Sequence, residues 1–173
     1  MRLAGPPLSV PMFASLFLTA CSPAPEEETV AEQESQQFET GIYEVDPETG
    51  ETRAVVNNED GTTTMRAGER VVPRLPEGFS IYPGAEIRNT IQIGRNDAAG
   101  VMVSLASEDS PADLVAFYRR QAEAAGIAIE LHLETDAMTM IAGEAPDGTS
   151  FAFQSSGETG ETTGQLTLRR GLN

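Results

Sequence analysis

The chain of 173 residues contains no lysine, no tryptophan, one histidine and one cysteine. A single cysteine cannot form a disulfide within one molecule, so the fold depends on its apolar core alone. With one histidine and no lysine, few side chains remain that could act as a general base or an amine nucleophile. The sequence also lacks a nucleophile motif and a phosphate-binding glycine loop that leads into a helix. We therefore predict no enzymatic activity and no cofactor.

Positive charge is scarce as well. The chain has 27 acidic and 11 basic residues, every basic one an arginine, and a formal net charge of −16. Such an excess of negative charge argues against binding to nucleic acid or to anionic lipid surfaces. Acidic residues dominate from Ser22 to Thr52, where no basic residue occurs. We predict a solvated, disordered tether over residues 21–40, acting as a spacer, with an acidic docking tail as the alternative.

The one cysteine, Cys21, follows an uncharged, mainly apolar run over residues 8–20, and Arg2 precedes that run. A weakly basic start followed by a short apolar stretch is typical of a secretory signal. The run is too short to span a bilayer, which requires about 20 apolar residues. Residues 1–20 are therefore predicted to form a signal peptide.

The residues Leu18-Thr19-Ala20-Cys21 resemble the lipobox of bacterial lipoproteins. The resemblance implies cleavage before Cys21, a diacylglycerol on its thiol and membrane attachment through the lipid. Ser22 stands where this class often has an aspartate that retains the protein in the inner membrane. The resemblance thus implies the outer membrane, facing the periplasm, in a cell that has one. The alternative is a secreted protein with an unpaired thiol.

Apolar residues alternate with polar ones in several short segments, a pattern typical of half-buried strands. Short polar strands around turns predict a small hairpin annex and linker over residues 41–74. In the predicted main domain, residues 75–173, alternation recurs at residues 86–93, 101–105, 127–133, 138–142, 151–153 and 166–168. One helix among these strands gives the order β-β-α-β-β-β, with a further terminal strand allowed. The fold class is therefore α+β, a mostly antiparallel sheet with one helix on one face.

The helix is marked at both ends. Ser110 is the candidate N-cap, Pro111 suits the first helical position, and Gly126 suits the stop. The residues predicted to form the buried stripe of this helix are Leu114, Phe117, Tyr118, Ala122 and Ala125.

The segment Leu75 to Ala85, which contains Tyr82-Pro83-Gly84-Ala85, resembles a "YPGA" segment of exported bacterial proteins. In those proteins a hairpin and a helix with an aromatic-tyrosine pair follow, and Phe117-Tyr118 matches that pair. The resemblance implies no activity. Pro83 and Gly84 favour a turn before the first strand, so we expect a structural role.

Two functions remain open. The first is a lipid-anchored envelope module that binds another protein or has a structural role, with the uncovered face of the sheet as its surface. The alternative is a carrier of a small apolar ligand between helix and sheet, around Phe117, Met138, Met140, Phe151 and Phe153.

Two groups of polar residues are interpreted as structural features and not as metal or catalytic sites. Glu130, His132 and Glu134 alternate along one strand and could hold a metal weakly, but a solvated strand face is the favoured interpretation and no metal site is predicted. Glu108 and Asp109 stand at the helix entry, where negative charge is favourable, so no catalytic carboxylate pair is predicted.

The lipid anchor is directly testable. Wild-type protein purified from the envelope should have the mass of the chain from Cys21 onward plus acyl groups, and Cys21→Ser should persist as the precursor without lipid. A form starting at Ser22 should fold and remain soluble, because it contains no long apolar run. Intact-mass analysis that finds an unmodified Cys21 in the wild type would rule the anchor out.

Overall fold

The computed structural model describes residues 36–38, 41–59, 61–158 and 160–172. They form ten strands and one helix. The elements are β1 (Gln36–Phe38), β2 (Gly41–Val45), β3 (Thr52–Asn58), β4 (Gly61–Gly68), β5 (Glu86–Arg95), β6 (Ala98–Ser107), α1 (Pro111–Ala124), β7 (Ala128–Glu134), β8 (Thr139–Glu144), β9 (Ser150–Glu158) and β10 (Glu161–Arg170).

All ten strands belong to one antiparallel sheet in the order β1-β2-β3-β4-β5-β6-β10-β9-β8-β7. The sheet consists of two meanders, β1 to β6 and β7 to β10, which meet where β10 pairs with β6 from Thr162↔Ser107 to Arg170↔Ala99. The predicted α+β class is confirmed, and β10 is the further terminal strand.

The strands expected in an annex continue the main sheet. β4 pairs with β5 from Thr63↔Arg95 to Gly68↔Thr90, so β2, β3 and β4 extend the sheet beyond β5. The short strand β1 falls within residues 21–40, the segment predicted as a tether, and pairs with β2. The predicted signal peptide lies outside the described residues.

Both ends of α1 have the predicted caps. The Ser110 hydroxyl accepts a hydrogen bond from the Asp113 N–H at 3.2 Å, and Pro111 opens the first turn. At the other end Gly126 has φ 79°, and its N–H donates to the Glu123 carbonyl at 3.1 Å. The Ile127 N–H donates to the Ala122 carbonyl at 2.9 Å, which completes a Schellman motif.

The core lies between α1 and the sheet face toward which α1 packs, which we call the inner face. Tyr118 is fully buried, and its ring centroid lies 4.3 Å from that of Phe153. Burial raises the pKa of the Tyr118 hydroxyl to about 12. The other main core residues of the inner face are Val101, Val103, Leu105, Ile141, Phe151, Leu166 and Leu168.

The buried stripe of α1 differs in part from the prediction. Leu114, Tyr118 and Ala122 are buried as expected, but Val115 is buried too and Ala125 is exposed. Phe117 is only half-buried and packs edge-to-face on the Tyr82 ring, with centroids 5.0 Å apart. The buried positions at 114, 115, 118 and 122 follow the helical repeat, which places residue 117 at the margin of the contact.

Strand β7 also departs from its predicted alternation. Ile127 is buried and Ile129 packs against the core, but Leu131 and Leu133 are 44% and 45% exposed. The cause is a register shift in the β7·β8 pairing between Ile129 and Leu131. A bulge at this point moves the following side chains to the other face, because successive residues of a strand alternate.

The chain between β4 and β5 packs against α1. The Tyr82 N–H donates to the Tyr118 hydroxyl at 3.1 Å, and the Gln121 amide exchanges hydrogen bonds with Ser80. Ala85 N–H donates to the Tyr82 carbonyl at 3.1 Å around Gly84, whose φ is 79°. The Pro83-Gly84 pair thus forms the expected turn.

The core predicts unequal costs for two phenylalanine truncations. Phe153→Ala removes a fully buried ring beside Tyr118 and should lower the free energy of unfolding by about 3–5 kcal/mol. Phe117→Ala should cost less, because part of its ring already contacts solvent. Urea unfolding of the form starting at Ser22 measures both changes. Equal costs would contradict the burial described for α1.

Candidate functional site

A groove of about 550 Å³ opens on the inner face of the sheet, beside α1. Strands β4, β5, β6 and β10 form its floor, and residues 74–77 form its wall. The lining residues are Thr64, Arg66, Arg74, Leu75, Pro76, Glu77, Gln92, Ile93, Gly94, Ala99, Gly100, Val101, Thr149, Leu168, Arg169 and Arg170.

Strand register explains how distant residues form the floor. Paired residues of antiparallel strands point to the same face, so each row of partners presents its side chains together. One row comprises Arg66, Gln92, Val101 and Leu168. The next row comprises Thr64, Gly94, Ala99 and Arg170.

The floor is continuous with the core. Val101 is 5% exposed and Leu168 is 1% exposed, and both belong to the core cluster. Gly94 adds no side chain, and a Cβ built on it would meet only the Thr64 hydroxyl, at 3.4 Å. The groove therefore has an apolar base with open space above Gly94.

The wall is an extended segment fixed at both ends. Val71 is buried before it, and Leu75 packs against the core. Pro73 and Pro76 fix φ at two positions and favour an extended chain. Phe79 N–H donates to the Pro76 carbonyl at 3.2 Å across Gly78, whose φ is 89°. This turn directs the chain from the groove toward α1.

An ion-pair cluster supports one side of the groove. Arg66 donates to both carboxylate oxygens of Glu51, at 2.6 Å and 3.0 Å, and Arg53 donates to Glu51 at 2.8 Å. Glu51 is only 8% exposed. The hydrogen bonds from Arg66 and then Arg53 lower the pKa of the Glu51 carboxyl from 4.5 to about 2. The Arg66 side chain is thereby held in one orientation beside the floor.

Positive charge is concentrated at the groove. By strand alternation Arg66 and Arg170 lie on its floor, and Arg74 lies on its wall, whereas Glu77 is the one carboxylate in the lining. Arg169 pairs with Gly100 and belongs to the opposite face of the sheet. Among the described residues no carboxylate lies within 4.0 Å of the Arg74 or Arg170 guanidinium.

The residues predicted to hold a ligand are not brought together. Phe151 and Phe153 are buried in the core, where α1 packs closely on the sheet. Met140 pairs with Gln154 and lies on the outer face, opposite α1, while Met138 precedes β8 in a turn. The space available to a ligand therefore lies beside the helix. Cys21, the predicted lipidation site, is outside the described residues.

The two polar groupings noted in the sequence are also separated from the groove. Glu130 lies at the bulge of β7, and His132 and Glu134 follow on that exposed edge strand. Asp109 accepts a hydrogen bond from the Tyr82 hydroxyl at 2.8 Å. Within the described ranges no group of three or more His, Cys, Asp or Glu residues could hold a metal ion. In the same ranges no helix has the length and apolar character needed to cross a membrane.

Comparison with known proteins yields one match. A family model described as START domain-like matches residues 88–150, about a third of the chain. The matched region includes most of β5, all of β6, α1, β7 and β8, and it ends at the first residue of β9. No curated protein matches, and no solved structure matches. The wall of the groove and strand β10 lie outside the matched region.

The Glu51 cluster predicts a pH-dependent contribution to stability. The pKa of Glu51 is lower in the folded state, so its contribution is complete above about pH 4.5 and is lost as the pH falls toward 2. Wild type should therefore be more stable than Glu51→Gln at neutral pH, and the gap should narrow between pH 4.5 and 2. Urea unfolding across this range tests it, with Glu123→Gln on the exposed side of α1 as the control. A gap that does not vary with pH would contradict the ion-pair geometry.

Proposed function

We propose that this chain is a lipid-anchored envelope protein whose folded domain binds a small, mainly apolar ligand in the groove. The observation that carries the binding proposal is the apolar surface of Leu75, Pro76 and Ala99, which the core backs and which is open above Gly94. Pockets for small molecules are commonly about 300–1,000 Å³, with mainly apolar walls and a few polar groups. The groove, at about 550 Å³, has this size, and eight of its sixteen lining residues are apolar or glycine.

The START domain-like match supports the same proposal, because it is consistent with a ligand-binding fold. It covers β5 and β6, which supply half of the strands of the floor. The proposal thus adopts the alternative drawn from the sequence, a carrier of a small apolar ligand, but moves the ligand from the helix–sheet interface to the groove.

The envelope location rests on the lipobox-like residues Leu18 to Cys21 and on the acidic segment that follows them. A diacylglycerol on Cys21 would hold the domain at the outer membrane on the periplasmic side, with residues 22–35 as a spacer.

A second candidate is a protein-binding module that uses the outer face of the sheet. One row of paired residues on that face is mostly small or apolar: Ala67, Ile91, Met102, Thr167, Ala152, Ala142 and Leu131. No described helix covers this face, and Leu131 is 44% exposed. An envelope partner of the domain would be accommodated here without occupying the groove.

Filling the groove should weaken ligand binding. We expect the form starting at Ser22 to bind Nile red, an uncharged apolar dye, with increased fluorescence. Gly94→Val places two methyl groups in the open space of the floor and should weaken this binding at least about tenfold. Native mass spectrometry of the same samples should show a retained small molecule in the wild type and less of it in the variant.

Ala152→Val is the matched control, because it adds similar bulk on the outer face. It should leave dye binding unchanged, and both variants should keep cooperative unfolding. Equal dye affinity in wild type and Gly94→Val would reject the groove as the binding site. Dye binding lost only in Ala152→Val would favour the outer face instead.

A further inference from the structure

We propose that the groove selects single-chain amphiphiles with an anionic head group, which Arg74 and Arg170 bind while the chain lies along Leu75, Pro76 and Ala99. This inference rests on the proposed function, since it specifies the ligand of the same groove. The head group is a carboxylate or a phosphate, and both present a pair of anionic oxygens to a guanidinium.

The sign of its charge sets the groove apart from the rest of the chain. With 27 acidic and 11 basic residues, most surfaces of this chain should repel anions. The groove reverses the ratio, because three arginines and one carboxylate, Glu77, present their side chains to it. A positive site within a chain of net charge −16 is therefore a local feature of the groove.

Two of the groove arginines remain available to a ligand. The Arg66 guanidinium already donates two hydrogen bonds to Glu51, so Arg66 contributes mainly to the shape of the groove lining. Arg74 and Arg170 are exposed at its wall and floor and have no ion pair among the described residues. A guanidinium presents a planar set of donors that matches two oxygens of a carboxylate or phosphate.

The groove combines this positive charge with apolar surface. Arg170 lies in the row that contains Gly94 and Ala99, and Val101 and Leu168 form the adjacent row. Leu75 and Pro76 face the floor from the wall. A ligand that uses both parts of this lining needs an anionic end and an apolar chain, whereas a free inorganic anion would leave the apolar part uncovered.

Competition with bound Nile red tests the head-group preference. In the form starting at Ser22, dodecanoate and dodecyl phosphate should displace the dye at concentrations about tenfold lower than dodecanol, which has the same chain without the charge. All three are used below their micellar concentrations. Arg74→Gln combined with Arg170→Gln should remove this advantage and leave dodecanol and the dye unaffected. Arg120→Gln, an exposed arginine of α1, is the matched control and should behave as the wild type.

Each other result has a distinct meaning. Equal displacement by dodecanol and the two anions would overturn the head-group inference, while the apolar groove would stand. No dye binding at all would reject the proposed function itself. Displacement by inorganic phosphate at the same concentration as dodecyl phosphate would show a simple anion site and overturn the amphiphile inference.

The test must also separate a bound amphiphile from the chain's own acidic segment, whose glutamates carry the same sign of charge. Neutralising Glu26, Glu27 and Glu28 to glutamine tests it, because these residues precede the described part of the chain. Anion preference that appears only in this triple variant would mean that the segment occupies the groove, and would overturn the inference. Unchanged preference supports a separate ligand.

Discussion

The pairing of β6 with β10 is the constraint on which the rest of the structure depends. It joins residues 99–107 to residues 162–170, and so unites two meanders that local contacts alone would leave as separate sheets. The floor of the groove crosses this junction, because Val101 comes from β6 and Leu168 from β10. Without it, neither the single core nor the groove would exist. Pairing over such a separation must overcome a large loop-closure entropy before it is stabilised by burial.

A single helix cannot cover the inner face of so wide a sheet. A helix is about 10 Å across and neighbouring strands are about 4.8 Å apart, so one helix covers two to three strands. Helix α1 packs chiefly over β7, β8 and β9, and it reaches only part of β10. The extended chain over residues 71–85 packs beside it, through Leu75, Phe79 and Tyr82. The groove is the part of the inner face above β4, β5, β6 and the end of β10 that neither element covers.

Electrostatics gives this uncovered region its chemical character. Glu51, nearly buried, neutralises part of the charge of Arg53 and Arg66 and holds Arg66 at the edge of the floor. A buried carboxylate without such partners would be costly, so the two arginines and Glu51 are mutually dependent. Arg74 and Arg170 are exposed instead, and neither forms an ion pair among the described residues, although Asp147 lies near enough to Arg170 to interact with its charge.

Local patterns in the sequence predicted much of the fold. Ser110, Pro111 and Gly126 marked the ends of the one helix because capping involves residues only a few positions apart. Alternation located β5 to β10 for the same reason, because consecutive residues of a strand point to opposite faces of the sheet. The lipobox-like residues ending at Cys21 are likewise local, and the anchor they predict rests on the sequence alone.

The features that depend on strand pairing were decided only by the tertiary structure. The bulge in β7, set by its register with β8, exposes Leu131 and Leu133, which simple alternation had placed with Ile127. Phe117 and Met140 also lie outside the predicted ligand site. The rotation of the helix places Phe117 at the margin of its contact with the sheet, and the strand register places Met140 on the outer face. The groove draws its lining from residues 64 to 170. No spacing in the sequence signals such a site, since only the register of four strands brings its side chains to one surface.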